Sequence, residues 1–175
     1  DRKKWIYVPD FYTEYRYVLG TRGNHPVICV GINPSTAEPD HLDPTLQSVS
    51  RISAANGFDS WLMFNVCAQR ATRPDDMDKL RDEVLHRENM LAFQSLLLLS
   101  AEDGRCPVVW AAWGAIIEKR NWLMDCVREM VQLASGYGAL WVCAGKCSVK
   151  GHPHHPLYLR KDEIFRPFDM AGYLT

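Results

Sequence analysis

Four short apolar runs divide the chain, and each of them stops at or just before a glycine or a polar residue. They are rich in bulky apolar side chains and span residues 26–31, 60–65, 107–113 and 139–144. Runs of this length are typical of strands that are buried on both faces of a parallel sheet. We therefore predict four parallel strands, beginning near Val27, Trp61, Val108 and Leu140.

The segments between these runs carry apolar residues at the spacing of amphipathic helices. The pattern predicts helices over residues 46–56, 78–100 and 115–135. The first of them stops at Asn56 and Gly57, a pair that suits the C-terminus of a helix. Because strands and helices alternate, we predict a three-layer α/β/α fold with a short, mainly four-stranded parallel sheet.

Residues 12–20 alternate aromatic and polar side chains and run into Gly20 and Gly23, which predicts an edge strand or a hairpin. The 175 residues have the length of one domain, and the 47% hydrophobic and 23% charged residues are ordinary for a folded protein. No linker or repeat interrupts the pattern. We therefore predict that residues 1–175 form a single α/β domain.

Charge and cysteine content narrow the classes of partner and cofactor. With 20 basic and 21 acidic residues the formal net charge is −1, which gives no support to strong non-specific binding of nucleic acid, although a local basic strip stays compatible. None of the six cysteines forms a Cys-x-x-Cys pair, so we expect free thiols and no structural metal. No apolar stretch reaches the ~20 residues of a membrane span, and no signal-type segment is visible, so we expect a cytoplasmic protein with no membrane partner.

The loop after the first apolar run, residues 31–37, reads Gly-Ile-Asn-Pro-Ser-Thr-Ala. Right-handed crossovers bring the C-terminal ends of parallel strands to one edge of a sheet, and ligands bind at that edge. Gly31 and Pro34 shape a tight turn, and Asn33 and Ser35 supply hydrogen-bonding groups. The same residues also suit a plain turn with a helix cap, so both interpretations stay open.

The second apolar run ends at Asn65, and two arginines follow it. An asparagine amide offers a donor and an acceptor side by side, which suits the edge of a nucleobase, although the residue could also cap the next turn. Arg70 and Arg73 could bind phosphate or lie in solvent as ordinary surface charges.

The last loop holds three histidines, His152, His154 and His155, among prolines. They lack a regular helical spacing, and no convincing set of further ligands is visible, so a catalytic or base-contacting histidine is favoured over a zinc ligand. We predict no metal and no other cofactor.

Short motifs in these loops resemble a bacterial and phage family catalogued as a domain of unknown function, number 1643. The motifs are Asn-Pro-Ser-Thr-Ala, Asp-Pro-Thr, Asn-x-x-x-x-Arg-Ala-Thr, Ala-Trp-Gly and His-Pro-Leu-Tyr-Leu. They occupy residues 33–37, 43–45, 65–72, 112–114 and 155–159. The resemblance spans nearly the whole chain but implies little about chemistry.

A more distant similarity is to the uracil-DNA glycosylase superfamily. There, a first-strand loop reads Gly-Ile-Asn-Pro, a second strand ends in Asn, and a late loop carries His-Pro. The corresponding positions here are residues 31–34, Asn65 and residues 155–156, in the same order, and residues 152–153 offer a second match for the last motif. This resemblance implies the fold of that superfamily. It also implies an enzyme that excises a nucleobase, in some cases a modified one, in DNA repair or phage defence.

The resemblance also implies roles for single residues. Asn33 would hold the attacking water, Asn65 would read the base edge, and His155 would donate a hydrogen bond to the departing base, while Asp43 is a candidate carboxylate for activating the water. The substrate, a nucleic acid or a nucleotide, would be bound by Gly31, Ile32, Pro34, Ser35, Asn65, Arg70, Trp113 and Tyr158.

Two other functions stay open on the sequence. The first loop has no aspartate, which suits a non-catalytic module that binds a nucleobase or nucleic acid. Alternatively, Asp43 and the histidine cluster could serve another kind of hydrolase, with or without a metal.

Overall fold

A seven-stranded mixed sheet forms the centre of the protein in the computed structural model, which describes residues 1–175. The strands are β1 (Trp5–Val8), β2 (Val18–Thr21), β3 (Pro26–Gly31), β4 (Ser60–Asn65), β5 (Val108–Ala111), β6 (Leu140–Cys143) and β7 (Arg166–Pro167). Their order across the sheet is β1-β2-β4-β3-β5-β6-β7. The pairings β4-β3, β3-β5 and β5-β6 are parallel, whereas β1-β2, β2-β4 and β6-β7 are antiparallel.

The mixed α/β class predicted from the sequence is confirmed, but the sheet is larger than the four strands predicted. The four apolar runs supply β3, β4, β5 and β6, and antiparallel strands extend the sheet at both edges. Within residues 12–20 only the last three belong to a strand, β2, which pairs with β1. Strand β7 has two residues, too few to leave a period in the sequence.

Four α-helices accompany the sheet: α1 (Pro44–Ala55), α2 (Glu83–Ser100), α3 (Leu123–Ser135) and α4 (Met170–Leu174). Aspartates begin three of them, since Asp43 accepts a hydrogen bond from the Leu46 N–H at 2.9 Å, Asp82 accepts one from the Leu85 N–H at 3.0 Å, and Asp169 accepts one from the Gly172 N–H at 3.0 Å. No helix combines the length and the apolar character needed to cross a bilayer.

The helix predicted over 115–135 is in fact two elements. A 3-10 segment, Gly114–Lys119, is separated from α3 by residues 120–122, and the backbone of Arg120 is extended at φ −132° and ψ 135°. The Arg120 guanidinium donates to the carbonyl oxygens of Met77 and Asp78 at 2.7 and 3.1 Å, so it ties this break to the segment that precedes α2. Helix α2 itself begins at Glu83, five residues later than predicted.

Both faces of the sheet are buried because successive residues of a strand point to opposite sides. On one face, Val27 of β3 packs in a cluster with Ile52 of α1. On the other, Ile28 of the same strand belongs to a cluster with Phe93 of α2 and Val127 of α3. The four parallel strands therefore lie between helices, and the loops after β3, β4 and β5 share one edge of the sheet.

Candidate active site

A pocket of about 340 Å³ lies where β3 and β4 end side by side. Gly31 of β3 and Asn65 of β4 are direct partners in the register of the sheet, and both line the pocket. The other walls come from the start of α1 and from residues 71, 72, 74 and 155–157. Its volume is within the range of sites that take a small organic ligand.

Most of the site residues predicted from the sequence line this pocket. They are Gly31, Ile32, Asn33, Pro34, Ser35, Asp43, Asn65, Trp113 and His155. The loops after β3 and β4 and the late histidine loop thus meet at one place, although they are far apart along the chain. Two predicted residues, Arg70 and Tyr158, do not line the pocket.

Asn65 lies deep in the pocket, with only 2% of the residue exposed, and its Nδ2 has no hydrogen-bond partner in the protein. Gly31 provides the space beside it. A Cβ at Gly31 would lie 2.9 Å from Oδ1 of Asn65 and 2.7 Å from Cε of Met63. A buried amide without a partner costs free energy. Asn65 therefore brings to the wall of the pocket a side-chain amide nitrogen that has no partner in the protein.

Asn33 is held in one orientation by its amide nitrogen. Nδ2 donates to the carbonyl oxygen of Ala71 at 2.7 Å and to that of Pro34 at 3.1 Å. These bonds use both of its N–H groups and connect the loop after β3 to the loop after β4. The oxygen Oδ1 is left to accept a hydrogen bond from a water or a ligand.

His155 is fixed by its backbone neighbours. Its Nδ1 accepts a hydrogen bond from the Leu157 N–H at 3.1 Å, so the proton of the neutral ring is on Nε2. Burial and the nearby His154 lower the pKa of His155, and the attraction of Asp43 opposes them. The loop is anchored to α1 because Ser48 Oγ donates to the carbonyl oxygen of Pro156 at 2.6 Å. At neutral pH, His155 is therefore a neutral Nε2–H donor.

Asp43 is the one carboxylate among the residues that line the pocket. Its Oδ1 accepts the Leu46 N–H at 2.9 Å and so begins α1, which places the helix cap at Asp43 and not in the loop of residues 31–37. The second carboxylate oxygen makes no hydrogen bond within the cap. Asp43 is thus both a structural residue and the only candidate in the pocket for a carboxylate base.

Arg70 is turned away from the pocket. Its Nη1 donates to the carbonyl oxygen of Ser35 at 2.6 Å, its Nη2 donates to the Tyr7 hydroxyl at 2.9 Å, and its guanidinium lies 4.0 Å from the centre of the Tyr12 ring. It supports the loop after β3 from behind, so a direct contact with substrate, predicted from its position, is not what the structure gives. Tyr158 is 92% exposed and lies outside the pocket.

Trp113 lines the pocket but is a core residue. It is fully buried, and its Nε1 donates to the Tyr173 hydroxyl at 2.9 Å. With its one donor already used, the indole can offer a ligand only its apolar surface. Its predicted binding role is therefore limited to packing.

The other two histidines of the late loop do not line the pocket. His152 is buried, with Nδ1 2.8 Å from the Tyr173 hydroxyl and Nε2 2.9 Å from Oε2 of Glu118. No group of three or more His, Cys, Asp or Glu side chains is placed to hold a metal ion. Of the histidine cluster, only His155 shares the pocket with Asp43.

The residues that line the pocket all lie within a match to one protein family. Its description is "Protein of unknown function (DUF1643)", and its sequence model matches residues 16–157. The chain belongs to the DUF1643 family. The match begins and ends at residues that line the pocket, Arg16 and Leu157, so every lining residue lies inside it. No curated protein and no solved structure gives a significant match.

Arg16, the first residue of the DUF1643 match, is a pocket residue that the sequence did not reveal. It stands in an aromatic-polar stretch just before β2, where alternation suggested only a strand. The residue is 2% exposed, and its backbone N–H donates to the carbonyl oxygen of Ala68 at 2.9 Å. Nothing in the local sequence distinguishes it from a surface arginine, because its burial depends on the loops after β3 and β4.

The lowered pKa of His155 predicts a loss of stability in acid. An unfolded histidine takes up a proton near pH 6.5, whereas the folded His155 resists protonation. The part of the free energy of unfolding that depends on a neutral His155 is therefore fully present above about pH 6.5, and it is lost as the pH falls through the lowered pKa. We expect the melting temperature of the wild type to fall more between about pH 7.5 and about pH 5 than that of His155→Asn. Equal falls in the two proteins would contradict this prediction.

Proposed function

We propose that the pocket binds a nucleobase and that the protein hydrolyses the N-glycosidic bond that joins the base to its sugar. The observation that carries the proposal is the meeting of Asn33, Asn65 and His155 in one pocket of suitable size. The unpaired amide of Asn65 supplies a partner for a base edge, and the neutral His155 supplies a donor. The proposal extends to the fold, which we infer to be a variant of the uracil-DNA glycosylase type.

The proposed chemistry assigns the attacking water to Asn33 and the departing base to His155, while Asn65 holds the base edge. A water molecule that donates a hydrogen bond to Asn33 Oδ1 attacks C1′ of the sugar, and the bond between C1′ and the base nitrogen breaks. The bonding electron pair goes to the base, which departs with negative charge. His155 Nε2–H stabilises that charge, a type of interaction that acts mainly in the transition state. The attacking water loses a proton, the departed base anion takes up a proton from solvent, and the products are the neutral base and a sugar with a hydroxyl at C1′.

Asp43 is the proposed acceptor of that proton, and its double role allows a clean test. Asp43→Asn keeps the helix cap, since asparagine caps as well as aspartate, but removes the base. We expect the melting temperature and ligand binding to stay as in the wild type, while the rate of base release falls by about 10²–10⁴-fold.

The matched control is Asp82→Asn, which makes the same change at the cap of α2, away from the pocket. It should leave the rate unchanged. A rate for Asp43→Asn that equals the wild-type rate would show that Asp43 is only a cap.

The proposal as a whole is tested with a panel of substrates. Purified protein is incubated with nucleosides, nucleotides and single- and double-stranded oligonucleotides that carry natural, damaged and modified bases. Free base is scored by chromatography, and abasic sites are scored by alkaline cleavage. Release of at least one base is the expected result, and release of none would contradict hydrolysis.

A non-catalytic binding module is the second candidate. It is supported by the state of Asp43, because the only carboxylate in the pocket is already engaged as a helix cap. The two candidates are separated by the same panel, since a binding module would bind a base through Asn65 and release none.

A further inference from the structure

Arg16 is a buried cation in the wall of the pocket. Only 2% of the residue is exposed, and it lines the pocket together with Asp43 and Asn65. A charged guanidinium rarely lies so deep without an anionic partner, because its removal from water is costly. The contacts of Arg16 therefore indicate what the pocket is built to receive.

Few of the hydrogen-bonding groups of Arg16 are used by the protein. Nη1 donates to the carbonyl oxygen of Ala37 at 3.1 Å, and Nε is buried without a partner. None of the ion pairs of the protein includes Arg16. A guanidinium presents a fork of several N–H donors that matches a phosphate or a carboxylate. Most of the N–H donors of the Arg16 guanidinium therefore have no partner in the protein.

A purely structural role explains Arg16 poorly. The carbonyl oxygen of Ala37 already accepts a hydrogen bond from Arg70 at 3.3 Å. Burial and the charge of Arg70 lower the pKa of Arg16 to about 10, which leaves it charged at neutral pH. The attraction of Asp43 opposes both effects, but that carboxylate is not within ion-pair distance. Two guanidinium groups thus lie side by side with no ion-pair partner.

We propose that Arg16 binds an oxyanion of the ligand, and that this oxyanion is the terminal phosphate of a mononucleotide. The proposal rests on the function proposed above and adds the class of substrate. The start of α1 lines the same pocket, but its N-terminus already holds the Asp43 carboxylate, which accepts the Leu46 N–H, so the oxyanion is assigned to Arg16 and not to the helix.

The depth of Arg16 favours a free nucleotide over a nucleic-acid strand. A phosphate that reaches a residue with 2% exposure has to enter the pocket, which a terminal phosphate monoester can do. A phosphodiester within a strand is linked on both sides and stays outside. The net charge of −1 also gives no general attraction for a polyanion.

The test is a set of calorimetric titrations of the wild type with a nucleoside, its 5′-monophosphate, inorganic phosphate and a single-stranded oligonucleotide of the same base. We expect the monophosphate to bind about 10- to 100-fold more tightly than the nucleoside, the range that hydrogen bonds to charged groups provide. Arg16→Met should remove this preference while nucleoside affinity stays unchanged. Arg73→Met, an exposed arginine outside the pocket, is the control and should keep it.

Each other outcome has a definite meaning. Equal affinities for nucleoside and monophosphate in the wild type would overturn the inference and leave the proposed function standing, and this comparison needs no variant to fold. Tighter binding of the oligonucleotide than of the monophosphate would overturn the assignment to a free nucleotide. Binding of inorganic phosphate that depends on Arg16, with no binding of any nucleoside, would support the anion site and contradict the proposed function.

Discussion

Replacing Asn65 by alanine is expected to weaken nucleobase binding by about 1–3 kcal/mol, while the protein remains as stable as the wild type or becomes more stable. The reason is that Nδ2 of this buried side chain has no partner in the protein. Alanine therefore breaks no internal hydrogen bond at Nδ2 and removes a polar group whose burial is unfavourable. A bound base, in contrast, loses the amide that matches its edge. Calorimetric titration and thermal unfolding of the same samples measure the two effects.

Asn56→Ala is the matched control for this experiment. The Asn56 side chain donates to the carbonyl oxygen of Glu163 at 2.9 Å and accepts the Phe165 N–H at 2.8 Å, and it does not line the pocket. Its removal should lower the melting temperature and leave ligand binding intact. If Asn65→Ala behaved in the same way as Asn56→Ala, Asn65 would be a structural residue and the base-reading role would be lost.

The second large effect is expected at His155. In the wild type, the Leu157 N–H donates to Nδ1 of His155. His155→Asn keeps an acceptor near this N–H but removes the Nε2–H donor. Because the donor acts on the charge that develops on the departing base, we expect the rate of base release to fall by about 10²–10³-fold. Binding of the base should change much less, since that charge is absent in the ground state.

Two comparisons make the His155 result specific. His25→Asn alters an exposed histidine that stacks on Phe58, away from the pocket, and should keep the wild-type rate. His155→Ala removes the acceptor for Leu157 as well as the donor, so it should also lower the melting temperature. An equal loss of binding and of rate in His155→Asn would mean that His155 holds the substrate without acting on the transition state.

The sequence predicted the centre of the sheet well because its strands are buried on both faces. The runs that became β3 and β4 have the predicted bounds, 26–31 and 60–65, and every residue in them is buried. Strand β1 was missed because it is four residues long and only partly buried, and β7 because it has two residues. The helix predicted over 115–135 contained a break that periodicity could not show, since Arg120 is held extended by distant carbonyl groups.

The candidate site was predictable to the extent that it depends on strand ends. Asn33 and Asn65 follow directly from the loops after β3 and β4, which any parallel sheet places together. The direction of a long side chain does not follow from its place in a loop, and for this reason Arg70 was assigned to the pocket and Arg16 was not. Both guanidinium groups donate to the carbonyl oxygen of Ala37. Their positions therefore depend on a contact that joins three separate segments of the chain.

The most direct test of the proposed hydrolysis is to follow the water oxygen into the product. The protein is incubated with the base-containing panel in water enriched in oxygen-18, and the products are analysed by mass spectrometry. Hydrolysis in the pocket predicts free base together with a sugar that carries one oxygen-18 atom at C1′ when it is trapped with borohydride at early times, before ring opening exchanges that oxygen with water, and both products should be strongly reduced in Asp43→Asn and His155→Asn. Free base with an unlabelled sugar, or no free base from any substrate, would contradict the proposal.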